Sequence, residues 1–303
     1  MKALIIGYGS IGKKHAEILY RNKKIKKIYV FSKQPIPKKF NTCKNYKSIL
    51  SINPDYIIIS TATSKHIKNL KIIDQNLKNK IILVEKPLFE RNYIFRSKNN
   101  HIYVGYNLRY HPVLKKVKSI IKNKKVYSVH AECLSNLINW RKGRDYKKTS
   151  SAKKNAGGGV ILDLSHEFDY ISWIFNGELK PIFSIFNKLS NLKIETEDFL
   201  SLTAKIKNKI IVNILLKYYS LISYRKIIIF GKNFTINADL LKNKIILVNK
   251  NKEKKYYFKN FSINQSYENM HQAILSKNFS DLCTLENGIK TMKFIDKLKG
   301  IRK

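Results

Sequence analysis

"KALIIGYGSIGKKHAEIL", residues 2 to 19, is the stretch on which the fold turns. The apolar run Ala3 to Ile6 leads directly into Gly7, Gly9 and Gly12, after which the pattern becomes helical. A G-x-G-x-x-G between a strand and a helix permits a tight turn, lets backbone N–H groups approach a diphosphate, and allows close packing of helix on strand. Ser10 and Ile11 lie between these glycines at the positive end of the helix. Gly7, Gly9, Ser10, Ile11 and Gly12 are therefore candidate dinucleotide-binding residues.

Outward from this motif, short apolar runs alternate with helix-like segments. Ala3 to Ile6, Ile28 to Phe31, Tyr56 to Ser60, Ile81 to Val84 and Ile102 to Gly105 read as strands, with helices near Ile11 to Arg21 and Ser64 to Asn76. Near-continuous apolar strands separated by helices imply a parallel sheet covered on both faces. After Pro112 the texture changes. A helix near Val113 to Lys122 and a strand near Val126 to Glu132 lead through a polar loop to a glycine-led helix. Seven β-rich segments between Pro181 and Phe258 and a final helix near Leu285 to Leu298 follow. Strands joined by short turns suggest an antiparallel sheet. The expected fold class is α/β: an N-terminal Rossmann doubly wound parallel sheet over residues 1–115, then a second α+β domain on a mainly antiparallel sheet over 116–303.

Composition narrows the function classes. With 303 residues and 44% hydrophobic content, two domains with their own cores are feasible. The longest apolar runs are far below the roughly 18 residues of a membrane span. The N-terminus lacks the apolar run of a signal peptide, so a cytoplasmic protein is expected. Cys43, Cys133 and Cys283 are widely separated and show no C-x-x-C spacing, which argues against a disulfide framework and a zinc site. The 60 Lys+Arg against 20 Asp+Glu, a formal +40, would attract polyanions. Yet only eight of these bases are Arg, and the lysines are spread among Asn and Ile, which share A/T-rich codons. Genome bias is a sufficient explanation. The basic runs at 23–27 and 250–255 read as solvated surface, and no specific nucleic-acid partner is expected.

The second strand ends "IYVFSK", placing Ser32 20 residues after Gly12, where NAD enzymes usually carry an acid that binds the ribose hydroxyls. Ser32 followed by Lys33 would accommodate a 2′-phosphate, so NADP is favoured over NAD. Further along come "STATSKH" (60–66), "VEKPL" (84–88), "GYNLRYHP" (105–112), "WRKGRDY" (140–146) and "GGGVILDLSHEFDY" (157–170). In this order the motifs resemble the glucose-fructose oxidoreductase, inositol dehydrogenase and MocA family of two-domain oxidoreductases, over residues 1 to about 175. "TLENGIKTMKFI" near the end is compatible with it.

The resemblance implies that Thr61, Ala62, Thr63 and His66 line the cofactor, together with Glu85 and Lys86 of the E-K-P motif. Lys86 would face the reacting carbon, and Asn107 and Arg109 would sit near nicotinamide or substrate. Family members usually carry Pro where Ala62 stands. It further implies an NAD(P)-dependent reaction on a sugar, polyol or sugar-nucleotide substrate lying between the domains, and a second-domain sheet whose free face forms a homo-oligomer. The nearest likeness is to members linked with surface-polysaccharide sugars. Chemistry supports Lys86 independently: hydride transfer from an alcohol needs the hydroxyl proton to leave, and a lysine at a strand end can take it. Arg109 could hold a carboxylate or phosphate through two parallel hydrogen bonds, or be a structural ion pair. Trp140, Arg141, Arg144, Asp145 and Tyr146 form a loop that could touch the substrate.

In "GGGVILDLSHEFDY", helical periodicity puts Val160, Ile161, Leu164, Phe168, Ile171 and Phe175 on one face and Asp163, His166, Glu167 and Tyr170 on the other. Asp163 and His166, at i and i+3, can hydrogen-bond and form an acid/base pair. No H-x-x-x-H or H-E-x-x-H pattern is present, so no metal is expected. The family commonly spaces this Asp and His four apart; here they are three apart, with Glu167 at the fourth position. Either His166 or Glu167 is the active helix residue, and His166 is favoured because imidazole titrates near neutral pH. The contrasting reading is a nucleotide-sensing or polyanion-binding protein that keeps the fold without turnover.

Overall fold

The apolar run after Met1 forms an inner strand of a mostly parallel sheet, flanked on both sides by further strands. The computed structural model describes residues 1–300 apart from 98, 142 and 251; residue 251 of the second basic run thus lies outside the described residues. In chain order the elements are β1 (Lys2–Ile6), α1 (Ser10–Tyr20), β2 (Lys27–Phe31), β3 (Asn41–Thr42), α2 (Tyr46–Ile52), β4 (Tyr56–Ile59), α3 (His66–Asn76), β5 (Ile81–Val84), β6 (His101–Val104), α4 (Pro112–Ile121), β7 (Val126–Asn136), α5 (Val160–Asp163) and α6 (His166–Phe175). Then follow β8 (Leu179–Asn187), β9 (Phe199–Ile206), β10 (Ile210–Lys217), β11 (Tyr219–Gly231), β12 (Phe234–Asp239), β13 (Lys244–Asn249), β14 (Lys252–Tyr257), α7 (Ile263–Leu275), β15 (Cys283–Thr284) and α8 (Leu285–Gly300).

The chain divides into two compact units: residues 1–106 with 267–292, and residues 107–266 with the stretch from 293 on. A single cut at 115/116 therefore does not describe it. Residues 107–115 go with the second unit because Asn107 and Arg109 make their side-chain bonds there, to Ser266 and Asp169. Residues 267–292 return to the first because β15 pairs antiparallel with β6, Cys283 opposite Val104.

The first unit holds a seven-stranded sheet in the order β3-β2-β1-β4-β5-β6-β15, parallel except at the β15 edge. This is the doubly wound Rossmann arrangement, in which strand order reverses beside β1 and ligands bind past the strand C-termini at that point. β4 is wholly buried and β1 buried after Lys2, which is why both read as unbroken apolar runs. α2 escaped the sequence reading because it is only seven residues long; Asn45 opens it with a capping box to Ser48.

The second unit holds an eight-stranded sheet in the order β14-β13-β12-β11-β7-β10-β9-β8. Only β7 and β10 run parallel; every other neighbouring pair is antiparallel, so the α+β expectation holds. β9 and β10 alternate between buried and more exposed residues, as a sheet covered on one face must. α4, α5 and α6 supply that cover.

Candidate active site

At the end of β1 the glycines have different tasks. Gly7 takes φ +97°, a left-handed conformation that favours glycine, and a Cβ there would lie 2.8 Å from the Ser60 and Thr61 backbone. A Cβ on Gly12 would lie 2.0 Å from the Gly7 carbonyl oxygen, so this residue sets the distance between helix and strand. Around Gly9 there is open space, with nothing within 4 Å of its would-be Cβ. Gly9 is also the N-cap of α1; it offers no side-chain cap, and the first turn holds no acid. The resulting concavity, with N–H groups pointing outward, fits a diphosphate. At the end of β2 the Ser32 hydroxyl accepts the Tyr8 and Gln34 N–H groups at 3.3 and 3.1 Å, and Lys33 is exposed.

The loop 60–66 and the E-K-P turn form the other wall of the same unit. His66 is 1% exposed and ties these two loops together. Its Nε2 lies 3.1 Å from the Thr61 carbonyl, and its Nδ1 lies 3.1 and 3.2 Å from the carbonyls of Pro87 and Leu88. Burial holds its pKa below the ordinary imidazole value, although these carbonyls favour the proton. His66 thus bridges the two loops from inside. Thr61 Oγ1 accepts from Asn69 at 3.1 Å, while Ala62 is exposed and Thr63 half-buried. Lys86 is half-buried at the start of a cis peptide to Pro87, and its N–H donates to Glu85 Oε2 at 3.2 Å. Glu85 accepts from His15 of α1 at 2.9 Å.

In the second unit the glycine-led segment is not one helix. α5 ends at Asp163, Leu164 leaves helical geometry with ψ 25°, and α6 begins at His166. Gly159 has φ +112°, and a Cβ on it would meet the Glu197 carboxylate at 2.4 Å. The supposed polar face of the helix is largely internal. Glu167 is fully buried and pairs with Arg225 at 2.7 Å. Asp169 receives both Arg109 Nε at 2.9 Å and a terminal guanidinium nitrogen at 2.7 Å, all in the interior. Glu167 is thus held by Arg225, Arg109 by Asp169, and Asn107 donates to the Ser266 hydroxyl at 2.5 Å, so all three make buried contacts within this unit.

Asp163 and His166 remain. Asp163 is half-buried, and Tyr218 donates its phenolic proton to Oδ2 at 2.5 Å. Burial first, and then Asp163, hold the Tyr218 phenol well above its ordinary pKa, so it stays a donor. Trp140 packs edge-on against Tyr218 at 5.0 Å while its indole N–H donates to Ser135. Trp140 therefore supports this corner of the site. Trp140, Arg141, Arg144 and Tyr146, among others, line a narrow surface crevice beside it. Burial raises the pKa of Glu197, and the negative charge of Asp163 adds to that shift. Among the described residues no cluster of three metal-ligating side chains occurs.

Tyr218, Glu197, Asp169, Arg225 and His15 were not singled out from sequence. Each lies far from the motif it serves. Only His15 carried a signal, since Gly12, His15, Ala16 and Leu19 share the buried face of α1.

Residues 115–237 match the family model of the GFO/IDH/MocA C-terminal domain. The uncharacterized oxidoreductase YrbE of Bacillus subtilis (strain 168) is 28% identical over 198 residues, spanning 59% of this chain and 55% of that protein. A structure of levoglucosan dehydrogenase in complex with NADH and levoglucosan aligns with TM-score 0.83 at 13% identity, over 99% of this chain and 96% of that one. UDP-N-acetylglucosamine 3-dehydrogenase of Acidithiobacillus ferrooxidans aligns with TM-score 0.76 at 16% identity, over 99% and 97%.

Proposed function

With the GFO/IDH/MocA resemblance borne out by the C-terminal domain at residues 115–237, we propose that the protein is a nicotinamide-dependent oxidoreductase. Its substrate class is a sugar, polyol or sugar nucleotide, oxidised or reduced at a CH–OH carbon. The observation that carries this reading is the combination, in one Rossmann unit, of an uncapped α1 N-terminus behind open Gly9 and a half-buried Lys86 at the E-K-P turn. Each of the three relatives reported above is named for an oxidoreductase, and two are named for a sugar or sugar-nucleotide substrate.

A bound nicotinamide ring supplies the hydride acceptor or donor. The remaining chemistry is the proton, and for this the chain offers an amine, an imidazole and a carboxylate. Lys86 takes the hydroxyl proton, or returns it in the reverse direction; such a group contributes about 10²–10⁴-fold in rate. Asp163, with one oxygen engaged by Tyr218, keeps a fixed orientation toward the substrate, and His166 supplies a second acid/base group. Gly7, Gly9, Ser10, Ile11 and Gly12 hold the diphosphate. Ser32 and Lys33, with no acid at the strand end, favour NADP over NAD. Phe183, Ile185, Ile211 and Phe230 are exposed on the uncovered face of the second sheet, and a second copy of this chain would cover them. Localisation in the cytoplasm accords with this coenzyme chemistry. Among the described residues no helix is long and apolar enough to cross a membrane.

The test is Lys86→Ala: coenzyme affinity should stay within about twofold of the wild type, while turnover of a substrate found by thermal-shift screening falls by the factor above. Near-normal turnover would remove Lys86 from the chemistry. Dissociation constants for NADPH and NADH on the wild type decide the coenzyme, and a clear preference for NADH would overturn the Ser32/Lys33 argument.

A further inference from the structure

Inside the first unit a chain of side-chain hydrogen bonds runs from Tyr56 to Glu85. The Tyr56 hydroxyl is 2.9 Å from His271 Nδ1, His271 Nε2 is 2.8 Å from His15 Nδ1, and His15 Nε2 is 2.9 Å from Glu85 Oε1. Tyr56 and His15 are completely buried and His271 is 1% exposed. The four residues come from β4, α7, α1 and the turn after β5, so the returning segment 267–292 supplies the central member.

Chemistry fixes the direction of this chain at Glu85, and a neutral His15 sets the rest. An ionised carboxylate only accepts, so His15 donates through Nε2–H. A neutral His15 then has Nδ1 as an acceptor, which the His271 Nε2–H fills. His271 is left with Nδ1 as an acceptor for the Tyr56 hydroxyl. Every ring nitrogen is satisfied with both imidazoles neutral. Burial is the larger cause that holds the His271 pKa well below its ordinary value, so the His271 ring is the neutral one. Tyr267 closes the cluster edge-on to His15 at 5.7 Å, and Lys14 lies over the Tyr267 ring at 4.7 Å.

The far end of the chain is the point of interest. Glu85 Oε1 is held by His15, Oε2 accepts the Lys86 N–H, and the carboxylate lies so close to Gly105 that a Cβ there would be 2.6 Å from Oε1. The carboxylate is therefore fixed on three sides, next to the residue assigned to the chemistry. We propose that His271 and His15 are positioning residues that orient the Glu85 carboxylate, so that its negative charge favours the cationic oxidised nicotinamide over the neutral reduced one. This rests on the reading of Glu85 and Lys86 as coenzyme residues.

The experiment compares dissociation constants for oxidised coenzyme, reduced coenzyme and ADP-ribose, which lacks the nicotinamide ring, in wild type, Glu85→Gln, His271→Phe and His271→Gln. Glu85→Gln should weaken oxidised relative to reduced coenzyme by about fivefold, the scale of one partly screened charge pair. His271→Phe keeps the volume but leaves His15 without its donor, and should move the ratio in the same direction. His271→Gln can accept from Tyr56 through Oε1 and donate to His15 through its amide, and should restore the ratio. ADP-ribose affinity should be the same in all four.

An unchanged ratio in Glu85→Gln overturns the proposal, and does so even if His271→Phe cannot be purified folded. Equal losses for all three ligands in His271→Phe, or a ratio that His271→Gln fails to restore, also overturn it and make His271 purely structural. A wild type that binds neither coenzyme nor ADP-ribose would instead refute the proposed function.

Discussion

His111 makes the second unit acid-sensitive in a calculable way. It is the N-cap of α4, with Nδ1 accepting the Val113 N–H at 3.3 Å, and its ring packs on Phe261 at 4.5 Å. Burial lowers its pKa to about 4; the Leu240 carbonyl opposes the shift and Arg225 adds to it. A protonated Nδ1 could not accept the capping bond. The unfolded chain binds this proton near pH 6.5 and the folded one only near 4. The stabilisation is thus complete above 6.5 and is lost as the pH falls toward 4. Linkage with these two values gives a loss of about 2 kcal/mol at pH 5, out of a limit of about 3 kcal/mol. Both tryptophans, Trp140 and Trp173, lie in the second unit, so fluorescence excited selectively through them follows its unfolding by denaturant. His111→Asn keeps a capping oxygen without a titrating ring. Glu197, whose pKa is raised, gains stability in acid and works in the opposite sense, so the measure is the difference between the two proteins. Between pH 7 and pH 5 the wild type should lose about 2 kcal/mol more than His111→Asn. Equal losses would refute the capping argument.

Two glycines separate binding from folding. Gly9→Ala enters open space and should leave the melting temperature unchanged while weakening coenzyme binding at least tenfold. Gly12→Ala forces a Cβ against the Gly7 carbonyl and should cost about 1–3 kcal/mol of stability. A thermal-shift series with and without coenzyme reads both effects. Glu167→Gln, which leaves the Arg225 guanidinium without its charge partner, should destabilise by about 3–5 kcal/mol in urea titration. A loss of turnover at unchanged stability would return Glu167 to the chemistry.

The Rossmann half was legible because its inner strands are buried on both faces and read as short apolar runs, the first of them ending at Gly7. β1, β2, β4, β5 and β6 fall within two residues of the expected positions at either end. The glycine-led helix misled for the same physical reason in reverse. Periodicity assumes that a polar face meets water, but here Glu167 and Asp169 meet Arg225 and Arg109, each about 60 positions away, and the helix is enclosed. A partner at that distance leaves no local trace. α7 was not anticipated because its buried face mixes Tyr267 and Met270 with Ser266 and His271, which thins the apolar period. From Tyr267 on, that face belongs to the first unit. The domain cut and the His15–His271 pair were hidden together.

Burial explains why some acids persist in a chain of formal charge +40. Asp74, Glu85, Glu167, Asp169, Asp198 and Asp239 are buried, six of only 20 acids, and each serves a fixed donor. Asp198 takes the N–H groups of Leu189 and Ser190, Asp239 those of Leu241 and Lys242, and Asp74 the Ser97 hydroxyl and the Asn100 amide. Such acids cannot drift to lysine, because the donor they satisfy would remain buried without a partner. Lysines are exposed on both units, from Lys13 and Lys23 to Lys252 and Lys255. The imbalance is a surface property, carried by exposed lysines along the chain, three of them on β14 alone. It does predict that an anionic coenzyme or sugar nucleotide associates faster at low salt, with a smaller effect on dissociation, since exposed charges act on encounter and are screened beyond about 10 Å at 0.1 M. Stopped-flow association of reduced coenzyme at two salt concentrations would show a rate independent of salt if the lysine field plays no part.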